Sequence, residues 1–397
     1  MRKTFQYRLA PTKKQTKTLQ SSLDACRWVY NKTLEIRKQA WKEKQESLSR
    51  YDTSNFLPRW KEEKPDLDNA YSQCLQNAQM RLDLAFRAFF RRVKAKENPG
   101  YPRFRGKERY DSFIYPQSGF EITDNGLRLS KIGTVKIKLH RQPEGQIKTC
   151  TIRRSATGKW YACFSCEIIP KPLRKVKKVV GIDVGLESFV TLSTGKKIKN
   201  PRFFRTSEIK LAKIQRRLSK AEKGSPDRRK QRKNVAHCHE RIGNRRKDFA
   251  HQLSRKLVNK YQVIAFEKLN IKQMRENGFK GIRKSIGDIS WDQFIGYTEY
   301  KAECAGRTVV FVDPRNTSKK CSRCGQIVEK KLSDRIHRCS CGLIMDRDQN
   351  ASINILALGL KSLGIQSIEA PQFIEGSSHF AYPFHTSHLP NPVGHCL

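Results

Sequence analysis

The segment VVGIDVG sets one ionisable side chain, Asp183, inside a run of apolar, strand-forming residues. Moving a charged carboxylate out of water is costly unless a partner or ligand compensates. The strand must therefore satisfy the acid in a turn or present it at a site. Gly181 and Gly185 flank it, and their missing side chains would let a bulky backbone such as nucleic acid come close. Two further segments repeat the pattern: Glu267 closes the apolar run VIAFE, and Asp348 lies in MDRDQNASINI, where apolar residues then recur at helical spacing. Singly, each acid has an ordinary reading, as a turn acceptor, a surface strand end and a helix N-cap respectively. Together, a strand Asp, a later strand Glu and an Asp at a helix start can meet at one edge of one sheet. Phosphodiester hydrolysis by two metal ions needs such convergence, because Mg2+, or Mn2+ in its place, is held by oxygen ligands and clamps the attacking and leaving oxygens. Asp346 competes with Asp348, but the helix-start position favours Asp348 as ligand and leaves Asp346 a capping or supporting role.

CSRCG and RCSCG supply a second constellation, Cys321, Cys324, Cys339 and Cys341, with fourteen residues between the pairs. Two close cysteine pairs flanked by glycine in turn-rich sequence suit one structural Zn2+, since a tetrahedral ion can fold a loop too small to have a core. The second pair is one residue shorter than the common Cys-x-x-Cys knuckle, which strains ligation by Cys341, and His337 is the alternative ligand. Cys163 and Cys166 also show Cys-x-x-Cys spacing, but in a strand they point to opposite faces and read as core residues. His237, Cys238 and His239 occur in a basic helix with no metal-site pattern around them.

Composition then narrows the partner. Lys and Arg number 81 against 37 Asp and Glu, a formal charge of +44, and such self-repulsion calls for a polyanion. Nucleic acid is the leading reading and a membrane surface the weaker rival. No apolar stretch approaches the roughly 20 residues that span a bilayer, and MRKTFQYRLA lacks the apolar core of a signal peptide. A soluble, intracellular protein without membrane partners is expected, with its remaining cysteines reduced.

The chain is too long for a single core, which stops growing near about 250 to 300 residues. FQYRLA alternates like a strand, and from Pro11 the periodicity turns helical, with Leu19, Leu23, Cys26, Val29 and Tyr30 on one face. A second amphipathic helix turns Leu75, Leu82, Ala85, Phe86 and Phe89 inward. Between Ser112 and Pro170 short strands follow one another, as in SFIYP, LRLS, TVKIKLH, TCTIRR and WYACFSCEI. The first ten residues are expected to join these strands in a small β-barrel or sandwich, with the helices inserted. After the basic linker KPLRKVKK comes an antiparallel meander, then a very basic helical stretch over about 206–260, either a solvated face or a phosphate-tracking surface. Strand YQVIAFEKLN, helix WDQFIGYTEYKAECAG and strand RTVVFVDP complete a sheet with alternating helices. The tail beyond Lys361 carries no Lys or Arg and is expected to be disordered over 365–397, with His379, His385, His388 and His395 an incidental set.

On these residues the chain resembles the TnpB family of transposon-associated proteins, the compact relatives of type V CRISPR effector nucleases. The likeness runs from residue 1 to about 362. YRLAPTKKQ and CRWVYN resemble the family's N-terminal signature, and GYPRFRGK and SFIYPQ its middle block. GIDVG, FEKLN and DRDQNAS resemble its three RuvC motifs, and VDPRNTSKKCSRCG is the most specific piece. The resemblance implies an α/β and α+β multidomain chain: a wedge-like β-barrel over 1–10 and 98–172, a helical recognition domain inserted at 11–97, an RNase H-like RuvC nuclease domain over 173–317 and 344–364, and a zinc ribbon inserted at 318–343. It implies Asp183, Glu267 and Asp348 as the catalytic metal-binding triad, a guide RNA from the element's end, and double- and single-stranded target DNA as partners. One departure is Lys268, where relatives often carry an acid.

A short motif beside the target would be read by protein side chains, and amides suit adenine edges. Gln73, Gln76 and Asn77 on the second helix and Tyr115 and Gln117 in the β-unit are the candidates, with ordinary solvated residues as the alternative. The implied activity is RNA-guided DNA cleavage; the rivals are a guide-independent transposase and a catalytically silent RNA-guided repressor.

Overall fold

The computed structural model describes residues 1–277, 280–331 and 333–365; the tail expected to be disordered, with its four histidines, lies outside them apart from Ile365. The described chain divides into two compact units, Met1–Ile169 and the part from Pro170 onward. No helix among the described residues is long and apolar enough to cross a membrane.

The first unit runs β1 (Arg2–Ala10), α1 (Lys13–Lys44), α2 (Arg50–Ser54), α3 (Leu57–Glu63), α4 (Ser72–Lys94), then β2 (Ser112–Tyr115), β3 (Phe120–Thr123), β4 (Gly126–Leu129), β5 (Gly133–Lys138), β6 (Gln146–Arg154) and β7 (Trp160–Glu167). The seven strands form an antiparallel sheet in the order β2-β6-β7-β1-β5-β4-β3. β1 thus lies in the middle, paired with β7 and β5, and the helices fall between it and its sheet partners in sequence. Phe5, Tyr7 and Leu9 alternate inward against Trp160, Ala162 and Phe164 of β7. The edge strands come round to one another: the rings of Tyr115 on β2 and Phe120 on β3 lie 6.4 Å apart, so the sheet is a nearly closed barrel.

Thr12 caps α1 in a reciprocal box with Gln15, and Leu19, Leu23, Cys26, Val29 and Tyr30 are buried as the periodicity requires. On α4, Leu75, Leu82 and Phe86 are buried, while Ala85 and Phe89 are only half-buried. The Asp83 carboxylate accepts from Arg37 of α1 at 3.3 Å, and both side chains are largely buried. Cys166 is buried as expected, whereas Cys163 is half-buried: strand parity that turns Cys166 inward turns Cys163 outward.

The second unit contains β8 (Val179–Val184), β9 (Ser188–Leu192), β10 (Lys197–Lys199), α5 (Phe203–Lys220), α6 (Pro226–Lys260), β11 (Val263–Glu267), α7 (Ile271–Asn277), α8 (Lys280–Ile289), α9 (Trp291–Ala305), β12 (Thr308–Val312), β13 (Ile336–Arg338), β14 (Ile344–Asp346) and α10 (Arg347–Ser362). A five-stranded sheet has the order β10-β9-β8-β11-β12, antiparallel from β10 to β8 and parallel from β8 to β12. Val180, Ile182, Ile264 and Phe266 face a core shared with α6, α8 and α9. The alternate residues Gly181 and Ala265 face α10.

Small residues on that second face let the helix lie close. A Cβ at Gly181 would stand 2.0 Å from the carbonyl oxygen of Ser352 and 2.7 Å from the amide nitrogen of Leu356, and one at Gly359 would meet the Ala265 Cβ at 2.7 Å. Gly181 was expected to admit a ligand backbone; instead the protein's own α10 occupies that space. Gly185 begins the turn into β9, its N–H donating to the Phe189 carbonyl at 3.4 Å. Because the Gly181 neighbours are backbone atoms, no rotamer change relieves the clash. Gly181→Ala is expected to cost about 1–3 kcal/mol or more, lowering the thermal midpoint by several degrees on the scale of ~2–4 °C per kcal/mol; an unchanged melting curve would contradict this packing.

Candidate metal centres and nucleic-acid surface

Strand parity positions the carboxylates. Asp183 lies two residues beyond Gly181 on β8, and Glu267 two beyond Ala265 on β11, so both share the α10 face. The strands are parallel, with Ala265 opposite Gly181 and Phe266 opposite Ile182; continuing that register sets Glu267 beside Asp183. Asp348 enters from the first turn of α10. All three side chains are half-buried. Burial, then the neighbouring carboxylates of Glu267 and Asp348, push the Asp183 carboxyl well above the usual range, against the pull of Arg347. Burial raises Glu267, opposed by the hydroxyl of Thr317. Burial and Asp346 raise Asp348, opposed by Lys197, Arg335 and Arg347.

Asp346 is occupied otherwise. It is the N-cap of α10, its Oδ1 accepting from the amides of Asp348 and Gln349, both at 3.1 Å, while Oδ2 pairs with Lys197 Nζ at 2.6 Å. The N-cap therefore lies two residues before Asp348, whose carboxylate is left for another use. Three partly desolvated oxygen donors, of which Asp183 is repelled by the other two, are the ligand type that hard divalent cations take. Two ions about 3.5–4 Å apart span a wider set of carboxylates than a single ion does.

The four cysteines form a tighter group, with sulfurs all within 4.8 Å of one another. Cys321 and Cys341 sulfurs are 3.6 Å apart, and those of Cys324 and Cys339 3.5 Å. A tetrahedral ion with Zn–S bonds of about 2.3 Å has S···S edges of about 3.8 Å, so these residues fit zinc. Gly325 and Gly342, each following the second cysteine of its pair, have φ of +80° and +83°, a conformation that L side chains rarely adopt. The short second pair closes as a tight turn, the Gly342 N–H donating to the Cys339 carbonyl and the Cys339 N–H to the Leu343 carbonyl, both at 3.0 Å. The Cys341 amide, pointing at Cys339, holds that thiol down at about 6. Cys341 thus joins the other three cysteines, and His337, the alternative ligand, is fully buried on β13, with Nδ1 against Lys330 Nζ.

Several residues around these centres gave no sequence signal. Thr317 is buried and hydrogen-bonded to Glu267. Asn350 and Asn354, one turn apart on the buried side of α10, bind the backbone of the loop before Cys321. Polar residues within an otherwise apolar helical stripe are the one hint of them; their partners are distant in sequence.

α5 and α6 form the basic surface. Leu211 is the buried residue of α5, and Lys213, Arg216, Arg217, Arg229, Lys233 and Arg241 are exposed on the two helices. His237 pairs with Glu240 at 3.7 Å along α6. Among the candidate motif readers, Gln76 and Gln117 are exposed and Gln73 half-exposed. Ser118 links the two segments, its hydroxyl within 3.4 Å of Gln73 Oε1 and 3.0 Å of the Tyr71 hydroxyl. Asn77 and Tyr115 are corrected to interior residues. Asn77 falls on the buried stripe of α4, and Tyr115 shares its inward face with Phe113 and donates to the Ser130 carbonyl at 3.0 Å. Period-two alternation in SFIY carried that signal for Tyr115.

A family model described as "Probable transposase" matches residues 163–278, one described as "Cas12f1-like, TNB domain" matches 291–355, and a "Helix-turn-helix domain" matches 1–46. In this structure residues 1–46 hold strand β1 and the single helix α1. A Streptomyces pristinaespiralis protein described as "Putative RNA-guided DNA endonuclease" is 38% identical over 368 residues, covering 91% of this chain and 90% of the relative. The Escherichia coli K12 protein "Putative RNA-guided DNA endonuclease InsQ" is 29% identical over 375 residues, covering 89% and 92%. The solved structure of the mini-RNA-guided endonuclease CRISPR-Cas_phi3 shares the fold at a TM-score of 0.50 and 9% identity, covering 91% of this chain and 92% of that one.

Proposed function

Because this chain belongs to the TnpB family of transposon-encoded RNA-guided DNA endonucleases, we propose that it cleaves DNA at a RuvC-type site built on Asp183, Glu267 and Asp348. The observation that supports this reading is the shared face of β8, β11 and α10, on which three partly desolvated carboxylates come from distant segments and two of them, Glu267 and Asp348, raise the proton affinity of Asp183. These residues would hold Mg2+, which when bound supplies an activated water and stabilises the leaving oxygen. The chain's own part is to aim the carboxylates. The parallel register, continued one residue past Phe266 and Ile182, would set Glu267 beside Asp183, the N-cap bonds of Asp346 hold the first turn of α10, and Lys197 pairs with Asp346 so that it does not compete. The cysteine group would hold one structural Zn2+ in a ribbon closed by β13 and β14.

Division of labour follows from charge. Base pairing with a guide RNA from the element's end reads the target sequence, while Lys and Arg, densest on α5 and α6, bind backbone phosphates without reading bases. Gln73, Gln76 and Gln117 remain the candidates for reading the adjacent motif. The test is to purify the protein with its native flanking sequence, sequence the RNA that copurifies, and challenge the complex with a randomised-flank DNA library in Mg2+. Cleavage at guide-matched sites by wild type, lost in Glu267→Gln, is expected. Equal product from both proteins would exclude the carboxylate site, and cleavage without bound RNA would favour the guide-independent transposase.

A further inference from the structure

The segment between Thr317 and Ser322 joins the two centres. Thr317 is 3% exposed, and its hydroxyl has two acceptors in reach, Glu267 Oε1 and the Pro314 carbonyl at 3.1 Å. A hydroxyl has one proton to donate, and an ionised Glu267, the stronger acceptor, takes it. Oε1 is then engaged, and Oε2 has no hydrogen-bond partner among the described residues. The loop is held from α10. Asn354 Nδ2 donates to the carbonyls of Thr317 at 2.8 Å and Lys320 at 2.7 Å, and Asn350 Nδ2 donates to Lys320 at 2.7 Å. Asn350 Oδ1 accepts from the Ser322 amide at 3.0 Å, one residue after Cys321. Lys330 Nζ, from the ribbon, donates to the Ser318 carbonyl at 2.8 Å. Both asparagines are nearly fully buried, so these bonds do not exchange readily with water.

We propose that Thr317 is a positioning residue that fixes the rotamer of Glu267, and that Asn350 and Asn354 make residues 317–322 a rigid strut between the thiolate group and the carboxylates. Glu267 ends its strand on a side chain with three rotatable bonds, and a single hydrogen bond from a buried, backbone-clamped hydroxyl selects one of its orientations. Asp348 is tied to the same strut, because the helix that carries it also carries Asn350. Removing the hydroxyl frees Glu267 while leaving its charge and the chain's fold in place.

This inference rests on the reading of Glu267 as a divalent-metal ligand, and the experiment separates the two. Mn2+ binding to the full-length zinc-loaded protein, without DNA, is measured by electron paramagnetic resonance for wild type, Asp183→Ala, Thr317→Val and Thr317→Ser. Val keeps the shape of threonine and loses the hydroxyl, while Ser keeps the hydroxyl and loses the methyl. Weaker Mn2+ binding by Thr317→Val, about 10- to 100-fold as for other partners of metal ligands, with Ser close to wild type, is expected. Ser binding no better than Val overturns the positioning role and leaves Thr317 a packing residue. Wild type and Asp183→Ala binding alike overturns the carboxylate reading itself. Thermal midpoints are recorded alongside, and if Val lowers the midpoint markedly, Thr317→Ala takes its place under the same ranking.

Discussion

Asp183→Asn is expected to abolish metal-dependent cleavage while raising the thermal midpoint of the magnesium-free protein at neutral pH. The two effects have one cause. Burial and two neighbouring carboxylates disfavour the ionised form of Asp183 in the folded state, whereas the unfolded chain ionises it near the ordinary value of about 3.9. A carboxyl whose folded pKa is raised binds its proton more tightly when folded, so ionisation at neutral pH weakens folding. The penalty is absent below the unfolded pKa and grows as pH rises into the range of the raised one. Asn removes it, so the gain in midpoint over wild type should be largest at neutral pH and shrink as pH falls towards about 4. Cleavage should drop by at least about a thousandfold, the scale for losing a group that stabilises transition-state charge. Calorimetry in magnesium-free buffer with zinc retained reads the first effect, and single-turnover cleavage of a guide-matched duplex the second. A midpoint lowered at neutral pH would mean that Asp183 is held by favourable bonds and is not a repelled ligand.

Stripping the thiolate metal should melt the ribbon and leave the first unit folded. The ribbon has a two-stranded sheet of three residues per strand, and among its described residues only a few, such as Cys321, His337 and Leu343, are buried. So small a core cannot offset the entropy of ordering the loop. Structural zinc contributes about 10–16 kcal/mol in comparable small modules. Hydrogen exchange is the informative measurement. The Cys339 and Gly342 amides, each in a turn bond at 3.0 Å, should lose protection when a chelator or Cys321→Ala removes the metal, with zinc content falling from one per chain. Amides of β1 and β7 should be unchanged, since their ladder lies wholly in the first unit. Protection that survives metal removal would show that the ribbon folds on its own hydrogen bonds.

Much of this architecture was legible because it depends on near neighbours in the chain. Alternation in FQYRLA and the 3.6-residue stripe after Pro11 both turned inward as read, as did Leu75, Leu82 and Phe86 of α4. Other readings went astray where one local pattern served two purposes. Gly181 signals close approach, but a glycine does not state what approaches, and here it is the backbone of α10. Asn77 has the chemistry to read a base and Tyr115 was grouped with it, yet each sits on the buried phase of its own element. The Cys-x-Cys spacing left His337 open as an alternative ligand, and the left-handed Gly342 lets Cys341 join the other three sulfurs.

The order of acids, the cysteine pairs and the excess of positive charge pointed to an enzyme acting on nucleic acid, in keeping with the family of RNA-guided DNA endonucleases to which the chain belongs, since those are properties of residue type and spacing. Tertiary structure decided the rest: that Asp346, read as a capping or supporting residue, also pairs with Lys197, that Cys341 and not His337 joins the sulfur group, and that Thr317 reaches Glu267 under the hold of Asn350 and Asn354. Periodicity reports which face of an element is buried. Which distant group meets that face depends on how sheet and helix pack, and a packing contact between residues far apart in the chain leaves no trace in the spacing of either one.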